Sequence, residues 1–176
     1  MAVKRVLDVT AGARMMWFDK KNPDVVFTDI RSVDVVLCDG RTLNINPDME
    51  IDFRDLPFPD GSFHLVVFDP PHLEKLGQKT WMAQKYGVLL PTWETDIKRG
   101  FDECMRVLKP SGVLIFKWNE SQINLSQVLK VIGEQPLFGH TSGKHGKTKW
   151  MTFMKSEQND LLPRTSPLPE ARPGPA

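Results

Sequence analysis

The run Phe63-His64-Leu65-Val66-Val67-Phe68 leads without a break into Asp69-Pro70-Pro71. Aromatic and β-branched residues in so short a run read as a buried strand. Proline has no N–H to give to a ladder, so Pro70-Pro71 ends the strand abruptly. A carboxylate therefore stands at the carboxyl end of a buried strand, on a backbone with little freedom to move.

Other runs repeat this arrangement. Val3 to Val9 is short and β-branched and stops at Thr10-Ala11-Gly12, and Asp24 to Asp29 is a second strand that ends on an acid. Val33 to Leu37 is a further short strand before a turn at Asp39-Gly40, and Ile51-Asp52-Phe53 is another before the turn Leu56 to Gly61. Val113 to Trp118 and Trp150 to Met154 complete the set. Helical patterns lie between them. Ala13 to Lys20 is the expected first helix, although Met15-Met16-Trp17-Phe18 is bulky for that place. Trp93, Ile97, Phe101, Met105 and Leu108 recur at helical spacing, and Lys109-Pro110-Ser111-Gly112 stops that helix. Leu125 to Ile132 is a helix capped by Gly133. Gly139 to Lys147 reads as a loop rich in glycine and cations, joined to the last strand as an antiparallel hairpin at the sheet edge. Strands alternating with helices make an α/β fold with a mainly parallel sheet.

A chain of 176 residues suits one domain, over 1–155, with a tail from 156 to 176 that holds five prolines and reads as disordered. The net charge of +1 excludes a global field toward nucleic acid or membrane, so any attraction to a polyanion has to be local. No apolar run reaches the roughly 20 residues of a membrane helix, and the N-terminus does not read as a signal peptide. A cytoplasmic location without membrane contact is the default expectation. Cys38 and Cys104 form no Cys-x-x-Cys pair and read as reduced thiols.

Ligands in open α/β sheets sit at the carboxyl ends of the strands. Asp8, Asp29, Asp52 and Asp69 all fall there. Gly12 lets the backbone approach a ligand. Asp29 follows Asp8 by 21 residues, where a ribose diol is held in nucleotide-binding folds. Asp52 is a candidate acceptor for an adenine amine.

Three stretches carry a resemblance to the class I S-adenosylmethionine-dependent methyltransferases. Val6-Leu7-Asp8-Val9-Thr10-Ala11-Gly12 resembles their first motif. The stretch Asp52 to Phe63, with Leu56-Pro57-Phe58 inside it, is similar to their acid, turn and following strand. Arg106-Val107-Leu108-Lys109-Pro110-Ser111-Gly112 looks like their helix-to-strand connection. The resemblance implies a Rossmann-like methyltransferase fold over residues 3–155, and S-adenosyl-L-methionine as cofactor. It would be held by Asp8, Thr10, Ala11, Gly12, Asp29, Ile30, Asp52, Phe53 and Asp69. The first motif departs from the family in having one glycine. The first strand begins almost at the N-terminus, so the methionine end of the cofactor is expected to be covered from elsewhere, by Phe18 or residues 73–92.

Asp69-Pro70-Pro71-His72 resembles the Asp/Asn-Pro-Pro-aromatic motif of the methyltransferases that act on adenine N6 or cytosine N4. That resemblance implies catalytic roles for Asp69, Pro70, Pro71 and His72. An exocyclic amine is a poor nucleophile, because its lone pair is delocalised into the ring. Asp69 and the Pro70 carbonyl each accept one N–H in this scheme, which frees the lone pair for in-line methyl transfer. Histidine replaces the usual Tyr, Phe or Trp that stacks on the base. No metal is expected: His72 has no neighbouring His or Cys partner, and His64 reads as an ordinary strand residue.

The expected acceptor is a nucleic acid, DNA or RNA. Lys144, His145, Lys147 and Lys149 in the glycine-rich loop suit phosphate contact, and Trp150 either stacks on a base or packs inward. Lys117, Trp118 and Asn119 end a strand and are expected to face substrate, with Arg14 and Arg31 as further phosphate contacts. No second domain for reading a DNA groove is evident, so a partner protein or a homodimer stays open. Chains of this compact kind resemble those of bacteria and their phages. Two alternatives share the fold: methylation of a small molecule or protein, and a non-catalytic cofactor-binding subunit.

Overall fold

The computed structural model describes residues 4–37, 40–75, 77 and 80–157. The tail beyond 157 lies outside the described residues, as do Cys38 and Lys79. In chain order the strands are β1 (Val6–Asp8), β2 (Val25–Asp29), β3 (Val33–Val36), β4 (Thr42–Ile45), β5 (Met49–Glu50) and β6 (Phe63–Phe68). Helices α1 (Trp81–Tyr86) and α2 (Trp93–Val107), strand β7 (Leu108–Asn119), helix α3 (Leu125–Ile132), and strands β8 (Phe138–Ser142) and β9 (Thr148–Met154) follow.

Seven strands form one sheet in the order β5-β2-β1-β6-β7-β9-β8. The pairs from β5 to β7 are parallel; β9 runs antiparallel between β7 and β8. The expected antiparallel C-terminal strand is therefore present at that edge. Among the described residues, strands β3 and β4 pair only with each other.

Helix α2 supplies one wall. Its buried positions Trp93, Ile97, Phe101, Cys104 and Val107 fall on one face, with Glu94 and Asp96 in the first turn where the helix dipole favours acids. They meet Leu7, Val66, Phe68, Leu114 and Phe116 in the main core. Helix α3 starts in a capping box between Asn124 and Gln127 and ends at Gly133 in the left-handed conformation. Alternation along β2 sends Val26 to this core, and Val25 and Phe27 to a second cluster with Ala11 and Trp17.

Gly100 lets α2 lie close against Phe53 and, on β6, Phe68. A Cβ there would stand 2.4 Å from the Phe53 ring and 2.9 Å from Phe68. Gly100→Ala is expected to cost about 1–3 kcal/mol through overpacking. Phe53 also lines the cleft described below, so the same change should push its ring toward bound ligand. Urea unfolding of the variant checks the stability loss.

Four expectations change. Residues 13–20 form turns rather than a helix. Arg14 has a φ of 53°, which no right-handed helix accommodates, and Trp17 is turned inward onto Asp8. The strand expected at 51–53 is instead the two residues Met49–Glu50. Asp52 folds back to accept the Arg54 amide at 2.9 Å, a local turn that competes with pairing. Half of the expected 139–147 loop is strand β8, where a Cβ on Gly139 would meet the Trp150 carbonyl oxygen at 2.5 Å. Finally, β7 begins at Leu108, with the register broken against β6 where Lys109 to Gly112 intervene.

Candidate active site

Sheet register gathers the polar residues into one row. Asp8 pairs with Phe27 and Val67, so two residues further Thr10 stands between Asp29 and Asp69. Phe68 pairs with Phe116, which places Lys117 beside Asp69. Lys117 pairs with Trp150, and Trp150 with His140. The row Asp29–Thr10–Asp69–Lys117–Trp150–His140 thus crosses the carboxyl end of the sheet.

A cleft of about 190 Å³ opens along part of this row. Its walls include Thr10, Ala11, Gly12, Asp29, Ile30 and Phe53 at one end. Asp69, Pro71, Lys85, Tyr86 and Lys117 lie at the other, and Met15 and Met16 also contribute. Of the candidate cofactor residues, Thr10, Ala11, Gly12, Asp29, Ile30 and Phe53 therefore share one cavity with Asp69 and Pro71 of the Asp-Pro-Pro turn.

Asp8 lies beneath the cleft, wholly buried. Its carboxylate accepts from the Thr10 amide (3.2 Å) and from the Trp17 indole N–H (2.7 Å). Burial pushes its carboxyl up to about 7. Asp29 is 5% exposed and accepts from the Gly12 amide (3.0 Å), the Arg31 amide (3.0 Å) and Arg31 Nε (3.2 Å). A carboxylate has about four lone-pair sites, so one remains for a ligand hydroxyl. Gly12 has a φ of +51° and nothing within 4 Å of a notional Cβ, which leaves room for a ligand against the backbone.

Asp69 sits where the sequence places it. Its amide donates to Thr10 Oγ1 (2.8 Å), and its Oδ2 accepts from Lys117 Nζ at 2.6 Å. Lys117 Nζ also stands 5.4 Å over the Trp150 ring, a cation–π arrangement, and the Trp150 indole N–H donates to Ser142 Oγ at 2.9 Å.

Several sequence candidates have other duties. Asp52 does not line the cleft: Arg54 grips both its oxygens and reaches Asp96 on α2, holding the Asp52 carboxyl below its usual range. Trp118 is wholly buried, with its indole N–H on the Ile123 carbonyl, and so cannot face substrate. Asn119 bonds Thr148 and Ser121 across the start of the hairpin. Lys149 pairs with Glu120 at 3.1 Å. Lys144, His145 and Lys147 are exposed at the hairpin tip. Arg14 is tied to Asp48, the carbonyls of Lys20 and Asn46, and the face of Phe27. Phe18 is fully exposed and outside the cleft wall. Pro70 is buried.

His72 turns from the cleft wall. Its ring lies 6.3 Å from both Tyr86 and Trp118, and Nδ1 is buried without a hydrogen-bond partner among the described residues. Burial pushes its pKa down, which favours the neutral imidazole. Tyr86, the residue that faces the cavity from this side, comes from α1. A Cβ on Gly87, just after α1, would stand 3.0 Å from Pro71, so the helix end packs on the Asp-Pro-Pro turn. Arg31 ties the same helix to Asp29 by donating to the Gln84 carbonyl at 3.1 Å.

No protein-family profile matches the sequence, and no curated protein does. Solved structures do resemble the chain. The PH0226 protein of Pyrococcus horikoshii OT3 is similar at a TM-score of 0.54 and 15% identity, over 87% of this chain and 82% of that one. The N-methyltransferase NodS of Bradyrhizobium japonicum WM9 is similar at 0.54 and 14%, over 89% and 88%. The strand order, with its single reversed strand, decides the matter.

This is the Rossmann-like methyltransferase fold.

The [4+2]-cyclase SpnF is also similar, at 0.50 and 14% identity over 86% and 74%. The methyltransferase fold therefore hosts more than one chemistry, and function has to be argued from the cleft.

Proposed function

We propose that the chain is an S-adenosylmethionine-dependent methyltransferase that acts on an exocyclic amine of a nucleic-acid base, adenine N6 foremost. The observation that carries this reading is the Asp69 carboxylate, held by two prolines at the end of β6 and lining one cavity with Gly12 and Asp29.

The cleft fits the cofactor. Asp29 keeps an acceptor site for a ribose hydroxyl, the open backbone at Gly12 admits close approach, and Ile30 and Phe53 offer apolar surface to an adenine ring. When bound, the cofactor supplies an electrophilic methyl group on a positive sulfur. Asp69 accepts an N–H of the acceptor amine and orients its lone pair. Tyr86 offers a ring on which a base stacks. Exposed Lys144, His145 and Lys147 share the carboxyl end of the sheet with Asp69 and suit phosphates of a bound strand.

Incubation with methyl-labelled cofactor and separate pools of DNA, tRNA, rRNA and protein tests this. Label is expected in a nucleic-acid pool, as methylated adenine. Label confined to protein or small molecules would overturn the acceptor class. No calorimetric binding of S-adenosylmethionine would overturn the enzyme itself.

A further inference from the structure

Lys117 has no role in the scheme above, yet it occupies the reacting end of the cleft. Its side chain is 22% exposed, and its ammonium touches the carboxylate of Asp69, whose side chain is 19% exposed. An ammonium carries three N–H donors, and one goes to Asp69 Oδ2. The others remain for a ligand. Asp69 Oδ1 accepts no hydrogen bond among the described residues. Joined by that 2.6 Å bond through Oδ2, the two groups present a free acceptor, Oδ1, and a free ammonium donor side by side. A single Asn or Gln amide presents the same pair when it reads adenine through the N6 amine and ring N7.

The ammonium is held in place from behind. Trp150 backs it with its ring face, and Ser142 fixes the indole through a 2.9 Å hydrogen bond. Register makes Lys117 and Trp150 direct partners on β7 and β9, so their approach is built into the sheet. The β8–β9 hairpin therefore supports the site rather than merely closing the sheet edge.

We propose that Asp69 and Lys117 together read a donor–acceptor edge: an exocyclic amine beside a ring nitrogen that carries no hydrogen. The amine gives an N–H to Asp69, and the ring nitrogen accepts from Lys117. Lys117 is then a specificity-determining residue, with Trp150 and Ser142 positioning it. The inference rests on the proposed amine acceptor and names what must adjoin that amine. Simple alkylamines lack the neighbouring acceptor and leave the Lys117 ammonium without its partner, a costly mismatch in a half-buried cleft.

The test uses the full chain and short single-stranded DNA oligonucleotides holding one adenine, 1-deazaadenine or 7-deazaadenine. Binding is measured in the presence of S-adenosylhomocysteine, and methyl transfer separately. Wild type should lose about tenfold in affinity and in kcat/KM on one of the two deaza bases, and the sensitive base identifies the ring nitrogen. Lys117→Met should treat that base and adenine within about twofold, while Lys117→Arg, which keeps a donor, should still discriminate. Thermal unfolding shows whether Lys117→Met folds; if it does not, Trp150→Leu, which removes the backing ring, should weaken discrimination instead. Equal treatment of all three bases by wild type overturns the proposal, as does full discrimination by folded Lys117→Met. Either result leaves the amine-methylating reading intact if adenine is still methylated. Absence of methylation in any nucleic-acid pool overturns both.

Discussion

Asp69→Ala is expected to lower methyl transfer by about 10²–10³-fold, the usual loss when one oriented polar group is removed from a reacting centre. Affinity for S-adenosylmethionine should stay within a few-fold. The two effects separate because the Asp69 backbone, not its side chain, ties the turn to Thr10. The cofactor end of the cleft depends on Gly12 and Asp29, which the substitution leaves in place. Alanine also strips Lys117 of its partner, so part of the loss belongs to that ammonium. Asp69→Asn resolves the two: its amide oxygen still accepts from one neighbour but carries no charge. Its activity should fall between alanine and wild type. Single-turnover kinetics and calorimetry on the three proteins measure both quantities. Turnover by Asp69→Ala close to wild type would remove Asp69 from the reaction.

Stability should rise as the solution is acidified from about pH 7 toward pH 5, through Asp8. Its folded pKa is raised to about 7 by burial, with Asp69 and Asp29 adding to the rise against hydrogen bonds from Trp17 and Thr10. A raised folded pKa means that the native state holds the proton more tightly than the unfolded chain. The associated stability is full below the unfolded value near 3.8 and is lost as pH climbs through about 7. The span corresponds to about 4 kcal/mol as an upper bound, enough to move a thermal midpoint on the order of 10 °C. His72 opposes this: burial lowers its pKa, so protonation of the unfolded chain below about 6.5 favours unfolding. The difference between wild type and Asp8→Asn isolates the carboxyl. Calorimetric scans from pH 5 to 8 should show wild type losing stability relative to the variant as pH rises. Parallel curves would dismiss the effect. A single buried acid beneath the cleft thus couples pH to the fastening of residues 10–17.

Much of this architecture was legible from local pattern. Phe63–Phe68 and Leu125–Ile132 appear within the bounds their residues imply, because β-branched runs and a glycine cap act locally. Asp8, Asp29 and Asp69 were legible for the same reason: each ends or directly follows a strand. Asp52 was not, because its place depends on Arg54 and on Asp96, 42 residues beyond Arg54. Lys117 could be placed at a strand end, but not against Asp69, since that contact needs the register of β6 against β7. Trp118 shows the same limit in reverse: alternation sends one neighbour to the cleft and the other to the core, and sequence does not say which. Tyr86 was a candidate only as part of a long segment. Trp17 gave no signal at all, because a tryptophan in a bulky run reads equally as helix face or turn.

Segment 10–22 has a consequence for the order in which the protein assembles. A helix in that position would nucleate on its own hydrogen bonds. Here the segment is fastened by Trp17 to Asp8, by Gly12 to Asp29, and by Arg14 to Asp48. The Gly12 anchor needs Asp29 on β2 beside β1, and the Arg14 anchor needs Asp48, which the Phe27 backbone holds against β2. The segment is therefore expected to dock late, after the sheet has begun to form. Substitutions at Trp17 or Arg14 should hasten unfolding and leave the refolding rate nearly untouched.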